Sequence, residues 1–444
     1  MKKKNKAIYL LFLMPFVYFA TACFVVWLVK TSGIYPSGSD TMYHVYRGDY
    51  VYNAIKSGNW YPLYDPAWYN GVEILRYWSP FPAYVMAFCQ YLAGGSQFGA
   101  YLFYIGGVCF LGACVWPFIG RGFNRPYMGA FIGLLWFFMP NNLCAIFIEG
   151  NLARSLSMIF LPVFIYSVYK YLYNHKLRYI PLMVFTFLLM ELCHLGYAGM
   201  VAIAVIIYGI VYMIQKGRKK AVLDVVISMI FGFMLLGIWL VASLRGGITS
   251  LDNSENMANF FQNLWITINP FERLTRGFEY FYFGFAALVV IVFGILFGYK
   301  KSRTSFVTGF IILLMTTKSA YAVLKHLPGS QYLWMLRFIS IALCMILMSF
   351  LMWDRLKKTL VLMLCVLLVV DTIPSLSLIV GEHNDISVQE RMVARQDSTL
   401  ISSAQAVTKQ RLALMDESIL GATGSWLVSD YGNPVDATFG AGRE

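Results

Sequence analysis

Apolar stretches close to the 20 or so residues needed to cross a bilayer recur along this chain, and that recurrence limits its fold more than any other feature. Read in order they give about eleven candidate spans, centred in 7–29, 98–119, 127–148, 152–171, 179–193, 195–214, 221–244, 280–298, 304–320, 333–353 and 359–380. The class they define is an all-α polytopic membrane protein, because in lipid each backbone N–H and C=O must be satisfied within its own helix or a closed barrel. Of 444 residues 59% are hydrophobic and 13% charged, against roughly 25% charged in soluble domains. Disorder is excluded and a soluble enzyme disfavoured.

The net charge of +13 would suit nucleic acid, anionic lipid or topology, and its placement decides among them. With the N-terminus inside, alternate connections carry Lys2, Lys3, Lys4 and Lys6; Arg121 and Arg125; Lys170, Lys176 and Arg178; Lys216, Arg218, Lys219 and Lys220; Lys300, Lys301 and Arg303; and Arg355, Lys357 and Lys358. These clusters hold 19 of the 35 basic residues with two acids, Asp224 and Asp354, and leave 16 basic and 20 acidic residues for the other face. The positive-inside rule then predicts a multi-pass plasma (inner) membrane protein with a cytoplasmic N-terminus and with its large loops and C-terminus outside. Nucleic acid is excluded as a partner, since the basic residues lie in short turns rather than on one folded surface; the bilayer is the partner implied. The run 7–29 is too long for a typical signal peptide core and reads as a retained first span. The eight cysteines follow the apolar segments and show neither disulfide nor zinc spacing.

The outer connections are unequal. Residues 30–97 and 245–279 form long loops, and a polar tail runs from 381 to 444, whereas the cytoplasmic turns are short. Chemistry, if present, belongs on the outer face. Ser39 is a candidate N-cap for a helix starting near Asp40, in which Asp40, His44 and Arg47 at i, i+4 and i+7 project from one side. One reading is an interfacial amphipathic helix with a solvated polar stripe; the other is a carboxylate general base at the mouth of the bundle, oriented by His44 or sharing a metal with it. Seven of the 19 residues from Trp60 to Trp78 are Trp or Tyr, which suits either an aromatic belt at the headgroups or rings that stack on a sugar. Residues 80–92 read as a second short amphipathic helix.

Polar residues near the outer ends of spans are costly enough to be informative. Asn141, Asn142 and the segment Glu149-Gly150-Asn151-Leu152-Ala153-Arg154 interrupt an otherwise continuous helical hairpin. Glu191 and His194 stand at i and i+3, and Arg337 stands early in span ten. On this topology all face the outer leaflet.

Ser39-Asp40, His44, Arg47, the stretch from Trp60-Tyr61-Pro62 to Gly71, Tyr77 to Pro82, Glu149 to Arg154 and Leu336-Arg337-Phe338 together resemble the bacterial membrane proteins known as "6-pyruvoyl-tetrahydropterin synthase-related". That group is similar to the GT-C glycosyltransferases, which take sugars from polyprenyl-phosphate donors outside the membrane. The resemblance covers about residues 1–380 and implies a GT-C-like bundle of about 11 transmembrane helices whose first outer loop carries amphipathic helices. It does not imply pterin chemistry: that needs three clustered histidines on zinc, and His44, His175, His194, His326 and His383 are scattered. It implies Asp40 as the base, with His44 beside it. Arg154 and Arg337, with Arg47 or Arg76, would clamp the phosphate, Glu149 and His44 would hold sugar hydroxyls or a divalent cation, and His194 joins the substrate-binding candidates. Paired acids are frequent in GT-C first loops, but Asp40 has no adjacent carboxylate and Asp49 lies nine residues on, so metal use stays open. Residues 381–444 read as the start of a truncated outer domain. The function expected is transfer of a sugar from a polyprenyl-phosphate-linked donor to a cell-envelope acceptor. A transporter or flippase of a lipid-linked saccharide, and a non-catalytic protein of the same fold, are the rivals.

Overall fold

The computed structural model describes residues 2–32, 40–66, 71–76, 78–245, 289–290, 292–293, 302–327, 334–353, 358–370, 372, 412–413 and 435–436. The helices are α1 (Lys2–Ser32), α2 (Thr41–Lys56), α3 (Phe81–Leu92), α4 (Gln97–Gly122), α5 (Pro126–Trp136), α6 (Pro140–Phe147), α7 (Leu152–Asn174), α8 (Tyr179–Cys193), α9 (Leu195–Lys216), α10 (Lys219–Leu235), α11 (Gly237–Arg245), α12 (Arg303–Met315), α13 (Lys318–Leu324), α14 (Phe338–Leu351) and α15 (Lys358–Val370). The described β structure is limited to pairings such as Leu412–Ala413 with Val435–Asp436. The remainder of the tail, most of span 280–298 and the loop 246–279 lie outside the described residues.

Among the described residues five helical segments are long and apolar enough to cross a membrane, α5 and α6 together making one of them, and a sixth span follows if the bent pair α10–α11 is counted as one. The expected span 221–244 is therefore broken, with a 66° bend at Leu236. After it α11 leaves the bundle axis and docks on the first loop: Trp239 Nε1 donates to the Leu75 carbonyl at 2.8 Å, and Ser243 Oγ donates to the Arg76 carbonyl. Its other side, Ile238, Val241 and Leu244, stays exposed. Helix α8, with 15 residues, is about 22 Å long at 1.5 Å per residue, shorter than the hydrocarbon core.

The most apolar spans are not the most buried. Helix α1 is 28% buried across its apolar window, against 83% for the less apolar α7. A bundle in lipid needs apolar side chains outside, and its protein-filled interior is where polar groups can find partners. Helix α14 has every residue buried and, with α7, forms the centre of the molecule. Helix α4 packs on α1, α5 and α7. Its approach to α5 needs glycine on both sides: a Cβ on Gly120 would lie 2.7 Å from the Gly129 Cα.

Helices α2 and α3 pack together over one end of the bundle. The expected interfacial helix with a solvated polar stripe is not what forms. Every residue of α2 from Thr41 to Asp49 is buried, because Met42 and Val45 join the main core while Tyr43, Tyr46 and Val51 join a second cluster with Val72, Ile74 and Leu75.

Three of the described basic connections meet neighbouring helices at the other end. Arg125 Nη2 donates to the Trp353 carbonyl at 2.9 Å, Lys170 Nζ to the Gly122 carbonyl at 2.6 Å, and Tyr171 to Asp224 at 2.6 Å.

Candidate functional site

The segment from Glu149 to Arg154 is a turn before it is a site. Helix α6 ends as the Glu149 N–H bonds the Cys144 carbonyl at 2.9 Å. Gly150 takes φ +64°, the left-handed region that a side chain disfavours. Asn151 then caps α7, its Oδ1 accepting the Arg154 N–H at 2.9 Å. Glu149 and Arg154 thus face each other across a tight connection, both buried.

Glu149 is the hub. One carboxylate oxygen accepts from Arg154 Nη2, and the other accepts from Arg337 Nε at 3.1 Å. Its main-chain carbonyl accepts the Asp40 N–H at 2.9 Å, tying the start of α2 to the turn between α6 and α7. The Asp40 charge acts on both Arg47 and Arg337. His194 caps α9 through Nδ1, which accepts the Tyr197 N–H at 3.0 Å, and its Nε2 stands 3.4 Å from Asn151 Nδ2. The charges of Arg337 and Arg154 bear on His194, and His44 lies close enough to act on it when protonated. Residues 40, 44, 47, 149, 154, 194 and 337 therefore occupy one neighbourhood.

Burial sets the electrostatics. It holds His44 down to about 3, with Arg47 adding to the effect, and it holds His194 well below the ordinary imidazole range, helped by Arg337, Arg154 and His44. Both imidazoles are neutral at pH 7. Burial also draws Arg47 down to about 10 against the pull of Tyr43 and Asp40, which leaves it charged. The Arg47 guanidinium lies 4.6 Å from the Trp78 ring centroid and 6.0 Å from that of Tyr43.

Arg76 is placed elsewhere. It pairs with Glu73, and its Nε donates to the Ala242 carbonyl of α11 at 3.1 Å. Asp49 accepts from Gln90 Nε2 of α3 at 2.7 Å, which ties α2 to α3. Both oxygens of Glu149 receive guanidinium N–H groups, one from Arg154 and one from Arg337. Among the described residues no three of His, Cys, Asp and Glu come together as a metal site. Several residues here were not singled out by sequence. Trp78 lay in the aromatic stretch with nothing to link it to Arg47, 31 positions away, and Thr41 contributes a buried hydroxyl that lacks a hydrogen-bond partner. The aromatic loop is closed by the Asp65–Val72 bridge and by the Tyr46–Asp65 hydrogen bond, and it leaves Trp60, Tyr61 and Tyr64 exposed.

The fold and this cluster define a polytopic helical membrane protein with a buried, charged cap over one end of its bundle. The chain belongs to the family described as the 6-pyruvoyl-tetrahydropterin synthase related domain, a membrane protein family whose profile matches residues 75–379. Among solved structures it is similar to the cryo-EM structure of the arabinofuranosyltransferase AftD from mycobacteria. The TM-score is 0.52 at 13% identity, over 96% of this chain and 31% of that one. At that identity the likeness is one of fold, and this chain spans less than a third of the mycobacterial protein's length. No curated protein matches.

Proposed function

We propose that the protein is a GT-C-type membrane glycosyltransferase that moves a sugar from a polyprenyl-phosphate donor to a cell-envelope acceptor outside the plasma membrane. In this reading about eleven helices cross the bilayer, the N-terminus is cytoplasmic, and loops 30–97 and 245–279 and the tail from 381 are outside. The observation that carries it is the meeting of Asp40 with Glu149, Arg154, Arg337 and Arg47 under one cap. Asp40 takes the proton of the acceptor hydroxyl as that oxygen bonds to the anomeric carbon. The bond from that carbon to the phosphate oxygen breaks, its electron pair leaves with the lipid phosphate, and the guanidinium charges stabilise the departing anion. Neutral His44 and His194 offer hydrogen bonds to sugar hydroxyls. The exposed rings of Trp60, Tyr61 and Tyr64 suit a lipid headgroup or a sugar face.

The test is transfer from labelled polyprenyl-phosphate sugars by the purified chain, with and without divalent metal. Asp40→Asn should abolish transfer while the protein still inserts, and an active Asp40→Asn variant would remove Asp40 as base. Movement of the labelled lipid between leaflets without transfer would favour the flippase.

A further inference from the structure

Three buried arginines stand under the cap, and they are not equivalent. Arg154 and Arg337 each hydrogen-bond an oxygen of Glu149. Arg47 is 5% exposed, and among the described residues no carboxylate lies within ion-pair distance of it. Its Nε is fully buried with no hydrogen-bond partner, a lack that Arg154 shares at Nε and Nη1, so it is the missing carboxylate that sets Arg47 apart. An isolated buried cation is expensive unless an anion or hydrogen-bond acceptor compensates it.

The rings of Trp78 and Tyr43 lie against the guanidinium. Ring contact uses the face of the guanidinium, whereas hydrogen bonds to an anion use the N–H groups on its edge. Arg47 is thus steadied with its donors uncommitted. It shares a face of α2 with Asp40, seven residues earlier, and the Asp40 charge acts on it. His44 lies between them and adds no positive charge at neutral pH.

We infer, resting on the glycosyltransferase reading above, that Arg47 makes the direct contact to a phosphate ester group of the ligand. Arg154, Glu149 and Arg337 then form a positioning triad that fixes the Asp40 main chain through the Glu149 carbonyl. The phosphate clamp expected from sequence divides into one binding arginine and two holding ones.

The experiment measures ligand-induced thermal stabilisation of the full chain in detergent, with farnesyl phosphate, farnesol and inorganic phosphate as probes. Farnesyl phosphate should stabilise the wild type and farnesol should not. Equal stabilisation by inorganic phosphate would mean a free phosphate as the source of the anion rather than a lipid. Arg47→Gln should weaken farnesyl phosphate binding by about tenfold or more, the loss of a charge-assisted hydrogen bond, while the ligand-free variant unfolds no earlier than the wild type. Arg47→Lys should also bind weakly, because an ammonium lacks the planar edge, whereas Arg337→Lys keeps its ion pair and should bind as the wild type does. In the transfer assay Arg337→Lys should lower kcat with KM unchanged, and Arg47→Lys should raise KM. Wild-type affinity in Arg47→Gln, or a wild type that binds neither phosphate probe, would overturn the inference. Because binding is read without turnover, its failure stands apart from a failure of the glycosyltransferase reading, which would show as absent transfer with binding intact.

Discussion

Glu149 holds two guanidinium groups with one carboxylate, so its removal leaves two buried cations unpaired. Glu149→Ala should cost about 3–5 kcal/mol, the scale for breaking a buried ion pair from one side. A fall in the melting point of the detergent-solubilised protein would report it, and an unchanged melting point would show that the arginines find other partners. His44 carries a pH prediction. Its folded-state value of about 3 lies below the ordinary 6.5, so between the two the unfolded chain binds a proton that the native site refuses. Stability from this group is complete above 6.5 and is lost as pH falls toward 3, at up to about 1.4 kcal/mol per pH unit. His44→Gln should flatten the acid limb of the melting curve between about pH 7 and pH 4. Parallel curves for variant and wild type would assign the acid sensitivity to other groups. The residue types of this site were legible in the sequence: Asp40, His44 and Arg47 fall on one helical face by spacing alone. The pairing of Arg337 with Glu149 was not, because 188 positions separate them and no local rule links residues at that distance.

Among the elements, the turn between α6 and α7 shows how a local signal becomes a site. A polar interruption at Glu149-Gly150-Asn151 is visible in sequence, but its use depends on backbone geometry: a left-handed Gly150 reverses the chain, and Asn151 restarts a helix. Gly150→Ala should cost about 1–2 kcal/mol, the penalty of a Cβ in the left-handed region. Thermal unfolding measures it, and a neutral effect would mean that the turn relaxes to another conformation. Helix boundaries departed from the hydropathy profile at α10 and α11, where one apolar run becomes two helices at 66°. Hydropathy registers only that a segment avoids water. It does not distinguish a segment that crosses the bilayer from one that bends to lie beneath the first loop, as α11 does through Trp239 and Ser243.

For the whole molecule, contacts sort the charges by end. Arg125, Lys170 and Asp224 meet neighbouring helices at one end, and Asp40, Glu149, Arg154 and Arg337 meet at the other. If the first end is cytoplasmic, a cysteine at the exposed Asn59 should react with a membrane-impermeant maleimide in intact cells and one at the exposed Lys176 should not. Reversed labelling would invert the topology. The native cysteines are buried or lie in apolar helices and should stay silent. By itself the sequence determined that the chain is a helical membrane protein and which residues are expensive to bury, because both follow from transfer free energies that each segment carries alone. Tertiary structure decided which helices face lipid, that α2 is roofed over rather than laid on the surface, and which arginines are spent on Glu149. Those outcomes depend on which segments become neighbours, and proximity across the bundle is set by packing over the whole chain rather than by any stretch of it.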